Sequence, residues 1–478
     1  MQAMNLPGQT PREARRQLLA RGDALLVTRA AQPGVKPAPG QPGAASSYVQ
    51  PLPDVFVAIL AEGQVLAFNG HVDLGTGIRT SLAQIVAEEL SVPMDRVCMI
   101  LGHTEEAPNQ GPTIASATIQ ISAIPLRKAA AQAREHLLVM AAARWDTAAA
   151  RLRVEAGRII DSDVADRAIS CFDLLRGQHV VLTLEAGDVP LKPVSQYTLV
   201  GRNSPRVDIP AKVRAEPVFV HDVRVPGMLH GRVVRPPHPG RDGGDFVGRC
   251  LLAVDRQSVA HIPGLVAVVV EGDFVGVVAE REEQAQRAMR ELKVQWKKIP
   301  PLPPMDDLEA RLRGLPARRR ELVRQGDPEA ARSGAAASIE RTYVWPYQLH
   351  ASIGPSCAVA DWRQEGLTVW SGTQNPHVMR IDLSRLCDLD EGKIEVIRLE
   401  ASGCYGRNCA DDVVADAALL SRAVGRPVRV QLTREQEHAW EPKGAAQLMD
   451  VCGGIDARGR LSHYRFQTRY PSNDAPVL

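Results

Sequence analysis

The most constraining stretch is 54–101, where the apolar period switches from strand-like to helical and back across a pair of glycines. Apolar runs at 55–60 and 65–69 flank Glu62-Gly63, a hairpin signal. The turn His71-Val72-Asp73-Leu74-Gly75-Thr76-Gly77 follows. Leu82, Ile85, Val86 and Leu90 then recur at helical spacing, and Pro93 ends that helix. Residues 96–101 read as a strand. A polar loop over 102–113 leads into an Ala-rich helix running to about residue 142. This is β-β-α-β-α, which must bury a sheet beneath helices. The expected fold class is therefore α+β, built from mixed α/β units.

Two stretches break the remaining chain. Residues 31–53 are rich in Pro, Gly, Ala and Ser, so 1–53 reads as a polar N-terminus and linker. Residues 298–335 open with Pro-rich sequence and hold an Arg-rich run that reads as a solvated linker. The units between them are expected at 54–198, 200–297 and 336–478. Within 143–198 only short strand-like runs are visible, and their placement stays open. In 200–297, runs at 218–225 and 229–235 flank Pro226-Gly227, and 265–270 and 274–279 flank a second turn at Glu271-Gly272-Asp273. In the third unit, strands are expected at 367–370, 395–399 and 428–432. A helix is expected over 411–424, stopped by Gly425-Arg426-Pro427.

Charge and composition exclude several classes. Lys plus Arg is 57 against 55 for Asp plus Glu, so nothing electrostatic favours a nucleic-acid partner. No apolar run approaches the roughly 20 residues of a membrane-spanning helix. Eight cysteines without a C-x-x-C give no support to a structural zinc site or a ferredoxin cluster. Arg15-Arg16 before a weak apolar run resembles a degenerate twin-arginine signal, which leaves cytoplasm and periplasm both open.

Four segments carry chemistry. Gly75-Thr76-Gly77 lets the backbone turn tightly at a helix start, where exposed N–H groups suit an anion. Pro108-Asn109-Gln110-Gly111-Pro112-Thr113 precedes a second helix start at Ala115-Ser116. Thr373-Gln374-Asn375-Pro376 and Glu400-Ala401-Ser402-Gly403-Cys404-Tyr405-Gly406-Arg407-Asn408 each follow a strand. A glutamine at a strand end offers a donor and an acceptor, and small residues around one aromatic bring backbone N–H groups against a ligand.

Together these segments resemble the large, molybdopterin-binding subunit of the molybdenum hydroxylases. That family includes xanthine dehydrogenase and aldehyde oxidase. The resemblance is greatest to the isoquinoline 1-oxidoreductase and nicotinate dehydrogenase type. It is carried by VDLGTGIRTSLAQIVAEEL (72–90), PNQGPTIASATIQ (108–120), GRNSPRVDIPAKV (201–213), VHDVRVPGMLHGRVVRPP (220–237), GDFVGVVAE (272–280), TQNP (373–376), ASGCYGRNCADD (401–412) and GRPVRVQLTREQE (425–437), in this order.

The resemblance implies molybdopterin-binding units at 54–198 and 336–478, with a smaller, hammerhead-like α/β domain at 200–297 inserted between them. It implies an oxidoreductase that hydroxylates N-heterocycles or aldehydes with water oxygen. The implied cofactor is molybdenum–molybdopterin in its cytosine dinucleotide form. Iron–sulfur clusters would sit in a separate small partner subunit, with a cytochrome c as a further acceptor. Gly75, Thr76 and Gly77 would line the pterin, with backbone donors near its phosphate. Gln374 would hydrogen-bond an oxygen ligand of the metal. Tyr405 and Gly406 would lie against the metal centre, and Arg407 and Asn408 would face the substrate. No residue would ligate the metal directly. Thr76 stands where the family often has Gln, and Arg407 where xanthine dehydrogenase has Gly.

The family's general base is a Glu in a G-x-G-E segment, and the 478 residues contain none. The chain is accordingly expected to lack a catalytic residue of its own, the family's base Glu falling beyond Leu478. It is expected to be a truncated form, inactive alone. The alternative is an inactive homologue or an assembly module within a heteromer. Gln374→Ala is expected to lower turnover without altering stability.

Overall fold

A computed structural model describes residues 15–33, 46–164, 166–184, 187, 189–237, 250–298, 304–405, 411–441 and 443–470. The first unit is a five-stranded sheet in the order Val97–Leu101, Gln64–Asn69, Asp54–Leu60, Ala24–Arg29, His179–Thr183. Asp54–Leu60 and Gln64–Asn69 form the expected antiparallel hairpin. Gly63 turns it at φ +98°, a backbone conformation that favours glycine. Every residue of Asp54–Leu60 is buried, because helices cover one face of the sheet and the N-terminal turn covers the other. On the first face, Leu82, Val86 and Leu90 of the helix Ile78–Leu90 pack with Leu126, Ala130 and Leu137 of Ala123–Trp145. On the second, Leu18 of Arg15–Leu19 covers Leu26, Ala58, Leu66 and Phe68.

The N-terminal segment therefore departs from the expected polar linker. Ala24–Arg29 is an inner strand, antiparallel to Asp54–Leu60 and parallel to His179–Thr183. Its short apolar run looked weak because its partners are remote in sequence. Arg15, the first of the twin arginines, is a buried tie: it pairs with Asp54 at 3.0 Å and donates to the Ala107 carbonyl at 3.1 Å. Residues 143–198, open in the sequence, supply the edge strand His179–Thr183. They also form a small sheet of Leu152–Glu155, Arg158–Asp161 and Ala168–Ser170.

The smaller α/β unit is present, but its sheet is continuous with the next. Leu265–Glu271, Phe274–Ala279 and Leu229–Val233 run on into Val428–Gln431, Cys357–Arg363, Gly366–Ser371 and Ile394–Arg398 as one seven-stranded sheet. The junction is the parallel pairing of Leu229–Val233 with Val428–Gln431. Residues 218–225, expected as a strand, form a 3₁₀ turn at Val220–Asp222 instead. The Asp222 carboxylate accepts the Phe219 N–H there and closes the turn. Residues 201–213 fold back on the first unit, where the Val207 N–H reaches the Thr80 hydroxyl.

The 298–335 stretch holds two short helices, Leu308–Gly314 and Pro328–Ser333, and Leu312 packs on Ala446 and Leu448. Behind it lies an antiparallel sheet of Ala337–Trp345, Gln447–Ile455 and Leu461–Arg469. Among the described residues no helix is long and apolar enough to cross a membrane.

Candidate functional site

The site forms where the first unit meets the strand ends of the second. Loop 102–113 of the first unit is sewn into the second by hydrogen bonds. The Thr104 N–H donates to the Val396 carbonyl, and the Val396 N–H donates to the Thr104 hydroxyl at 2.9 Å. Next to them, the Thr113 N–H donates to the Gln374 carbonyl at 3.1 Å, and Gln374 Nε2 returns a bond to the Thr113 carbonyl at 3.2 Å. Ser371-Gly372 and 399–405 both follow the C-terminal ends of a parallel strand pair, the place where open α/β sheets bind ligands.

Gln374 is 7% exposed, and the Cys404 thiol sits 3.8 Å from its Oε1. The structure thus joins the Thr-Gln-Asn-Pro turn, the loop 108–113 and Cys404. This buried amide ties two units together, which bears on the expectation that Gln374→Ala spares the fold. Asn375 begins the helix Pro376–Cys387, and its Oδ1 is buried without a hydrogen-bond partner. Tyr405 is exposed at φ +52°, and its ring packs over Gly403, where an added Cβ would lie 3.1 Å from it. Gly406, Arg407 and Asn408 lie outside the described residues.

The Gly75–Thr76–Gly77 turn differs from expectation. Gly75 and Gly77 do take positive φ, at +94° and +80°. Their N–H groups, however, are already engaged. The Asp73 carboxylate accepts from Gly75 at 2.8 Å, Gly77 at 3.2 Å and Arg79 at 3.0 Å. An aspartate two residues before the glycine closes the turn on itself, as Asx turns do, so the Gly75 and Gly77 N–H groups are engaged within the turn. Thr76 is exposed. The second expected helix start also differs. Ala115 and Ser116 adopt left-handed backbone, and the helix opens with a π turn at Thr118–Ser122, a form that recurs at functional sites.

An ion network crosses the seam. Arg206 donates to the Gly75 carbonyl at 3.0 Å and pairs with Asp208 at 2.6 Å. Lys212 bridges Asp208 at 2.7 Å and Glu400 at 2.6 Å. Asp208 is held well below the usual carboxylate range by Arg206 first and by Lys212, against its partial burial.

Sequence reasoning missed Arg398, the last residue of Ile394–Arg398. It is 6% exposed; no described residue accepts a hydrogen bond from its guanidinium, and Nε is buried without one. Burial lowers its pKa to about 10, so it stays cationic at neutral pH. The charged groups that act on it come from both units: Glu400, Arg79, Asp73 and Cys404. The sequence signal was its parity, since it shares a strand face with Ile394 and Val396. Nearby, His221, Gly354, Cys357, Ser371, Gly372 and Ala401 enclose a small cavity. His221 shares a hydrogen bond with the Pro355 carbonyl at 2.8 Å, and burial holds its pKa down. Among the described residues no cluster of three His, Cys, Asp or Glu is placed to hold a metal ion.

Two family models, each described as a molybdopterin cofactor-binding domain, match residues 13–215 and 314–470. The chain is 57% identical over 476 residues to a nicotinate dehydrogenase subunit of Pseudomonas putida. Over these two regions the chain belongs to the molybdopterin cofactor-binding domain family. That match takes in 99% of this chain and 40% of the relative, so the chain spans less than half of the relative's length. The beta subunit of isoquinoline 1-oxidoreductase from Brevundimonas diminuta is 27% identical over 438 residues, covering 80% of this chain and 54% of the relative. The structure of a quinoline 2-oxidoreductase from Pseudomonas putida 86 aligns at a TM-score of 0.44 and 18% identity, over 56% of this chain and 40% of that one.

The two matched molybdopterin-binding regions are the two sides of the seam, 13–215 bringing Thr113 and 314–470 bringing Gln374 and Cys404. The residues present fit an anionic cofactor there. Arg398, a buried guanidinium that meets no hydrogen-bond acceptor among the described residues, marks the place by its own chemistry.

Proposed function

We propose that this chain is the molybdopterin-holding part of an oxidoreductase that hydroxylates N-heterocycles or aldehydes with oxygen from water. Nicotinate-like acids are the first substrates to test, since the 57% identical relative is named as part of a nicotinate dehydrogenase. The observation that carries this reading is the seam itself. Two cofactor-binding regions exchange hydrogen bonds through Thr113 and Gln374, with Cys404 alongside.

When bound, the cofactor supplies the two-electron chemistry. As the resemblance implies, Gln374 would present its amide at the strand end, Tyr405 and Gly406 would be the metal-side residues, and Arg407 and Asn408 the substrate-side ones. The turn 75–77 would shape the pterin side of the cleft, with its Gly75 and Gly77 N–H groups already held by Asp73. In this reading the cofactor is the cytosine dinucleotide form, a small subunit holds the iron–sulfur clusters, and a cytochrome c takes the electrons. The general base belongs to a G-x-G-E segment, which these 478 residues do not contain.

The test is co-expression of this chain, joined to a family G-x-G-E segment, with a small iron–sulfur subunit. Purified complex should carry molybdenum and release cytidine monophosphate on acid hydrolysis. It should also place ¹⁸O from labelled water into hydroxylated nicotinate. A complex that binds no pterin defeats the reading.

A further inference from the structure

Around the seam, four cationic side chains, Arg79, Arg206, Lys212 and Arg398, accompany three carboxylates, Asp73, Asp208 and Glu400. Each carboxylate is engaged. Asp73 accepts three backbone N–H groups, Asp208 pairs with Arg206 and Lys212, and Glu400 pairs with Lys212. Arg79 donates to the Met99 carbonyl. The charge left over is that of Arg398, whose five N–H donors meet no acceptor among the described residues. A buried charge without a partner is costly.

The position is also closely fixed. An added Cβ on Gly102 would overlap Val72 and lie 3.4 Å from Pro376 and 3.6 Å from the Arg398 Cβ, so the arginine stem is packed where the two units touch. The head group is held beside Asp73 and Arg79 of one unit and Glu400 and Cys404 of the other. A planar guanidinium fork in this setting matches a tetrahedral dianion.

We propose that Arg398 anchors the phosphate group of the pterin cofactor, in place of the backbone donors that Asp73 occupies at the glycine turn. The proposal rests on the reading that this chain holds molybdopterin. Arg398 is then a binding residue: it neutralises the dianion, and the dianion relieves the buried cation. Cofactor binding and closure of the seam become coupled through one charge pair.

The test uses the full chain as wild type, R398Q, R398K and the surface control R176Q. The cofactor-free proteins are titrated with inorganic phosphate by calorimetry, and their melting temperatures are recorded. Molybdenum and pterin are then measured after co-expression with the cofactor-synthesis enzymes. Loss of charge-assisted hydrogen bonds predicts that R398Q weakens phosphate binding about ten- to hundredfold and retains correspondingly less cofactor. The cofactor-free R398Q chain should melt no lower than wild type, because a partnerless buried charge has been removed. R398K keeps a charge without the fork and should fall between the two, while R176Q should match wild type. Equal phosphate binding by wild type and R398Q overturns the proposal, as does a lower melting temperature of cofactor-free R398Q. Lost phosphate binding with unchanged cofactor content marks a free-phosphate site and overturns the cofactor assignment. A wild type that binds phosphate through Arg398 yet takes up no pterin overturns the proposed function while leaving the anion site standing.

Discussion

The two sides of the seam differ in how they hold particular buried charges. In the first unit Glu88, Glu89 and Asp73 are saturated, although Asp54 has only Arg15 as an ion partner and burial pushes its carboxyl up. Glu88 accepts the N–H groups of Thr198, Leu199 and Val200 at 2.6–3.0 Å and pairs with Lys192 at 2.7 Å. Its neighbour Glu89 is held by Arg127 and Arg134, and Asp73 by the turn it caps. In the second unit Glu437 and Glu441 are saturated as well, by Ser356 and by His350 with Ala351. Among the described residues, however, Arg398 Nε and Asn375 Oδ1 find no hydrogen-bond partner. Asp416 pairs with Arg235 at 2.6 Å, yet burial, opposed by Arg235 and aided by Asp412, pushes its carboxyl up to about 7. The lesson is local: at the glycine turn Asp73 has taken up the Gly75 and Gly77 donors, whereas Arg398 across the seam keeps donors for a ligand.

The largest effect should come from emptying a saturated site. Glu88→Ala should destabilise the first unit by about 3–5 kcal/mol, because it strands a lysine and three backbone donors. Urea unfolding checks this, and an unchanged midpoint would dissolve the contrast between Glu88 and Arg398. Lys192 and the three N–H groups together outweigh burial and hold Glu88 below its ordinary pKa. Its contribution is therefore present above the ordinary glutamate range and fades as pH falls through the lower folded value.

Asp416 in the second unit should respond to pH with the opposite sign to Glu88. Asp416 has its folded pKa raised, so between about pH 4 and 7 the folded state holds more protons than the unfolded. Its contribution to stability should fall as pH rises across that window, by at most about 1.4 kcal/mol per unit. Asp416→Asn should remove that slope from a pH series of melting curves; an identical slope in the variant would show that another group titrates.

Gln374→Ala should cost about 1–3 kcal/mol, since it deletes the buried side-chain tie to Thr113. In a reconstituted enzyme it should also lower turnover about ten- to hundredfold, so calorimetry and turnover are read together. A loss in turnover with no loss in stability would return Gln374 to a purely metal-side role. The smallest effect is expected at Thr76→Gln. This exposed turn position should change stability by no more than about 0.5 kcal/mol, and any gain in cofactor retention would show that the turn still reaches the pterin.

Much of the fold was legible because its elements carry local patterns. The hairpin around Gly63, the helix stopped before Pro93 and the strands 366–371 and 394–398 all announce themselves through period and punctuation. The strand Ala24–Arg29 did not, because its six residues look like any apolar run until paired with Asp54–Leu60 and with His179–Thr183, some 155 residues on. At the site, glycine spacing located the turn correctly but not the state of its donors. Asp73 had to be read as a competitor for those N–H groups rather than as a neighbour. Arg398 was hidden for a different reason: an arginine ending a strand usually reaches water, and only the packing of Gly102 against Val72 and Pro376 shows that this one does not.

The continuity of the seven-stranded sheet has a consequence for the order in which this polypeptide takes shape. All strands of the five-stranded sheet lie between residues 24 and 183, so that sheet has its full complement once 183 has been synthesised. The larger sheet cannot close until Val428–Gln431 arrives beside Leu229–Val233, nearly two hundred residues later. Loops of that span close slowly, and domains form in the order they are made. The first unit is thus a finished template when the second condenses on it, and the interval between the two events is a window in which the cleft stands open to a bulky cofactor.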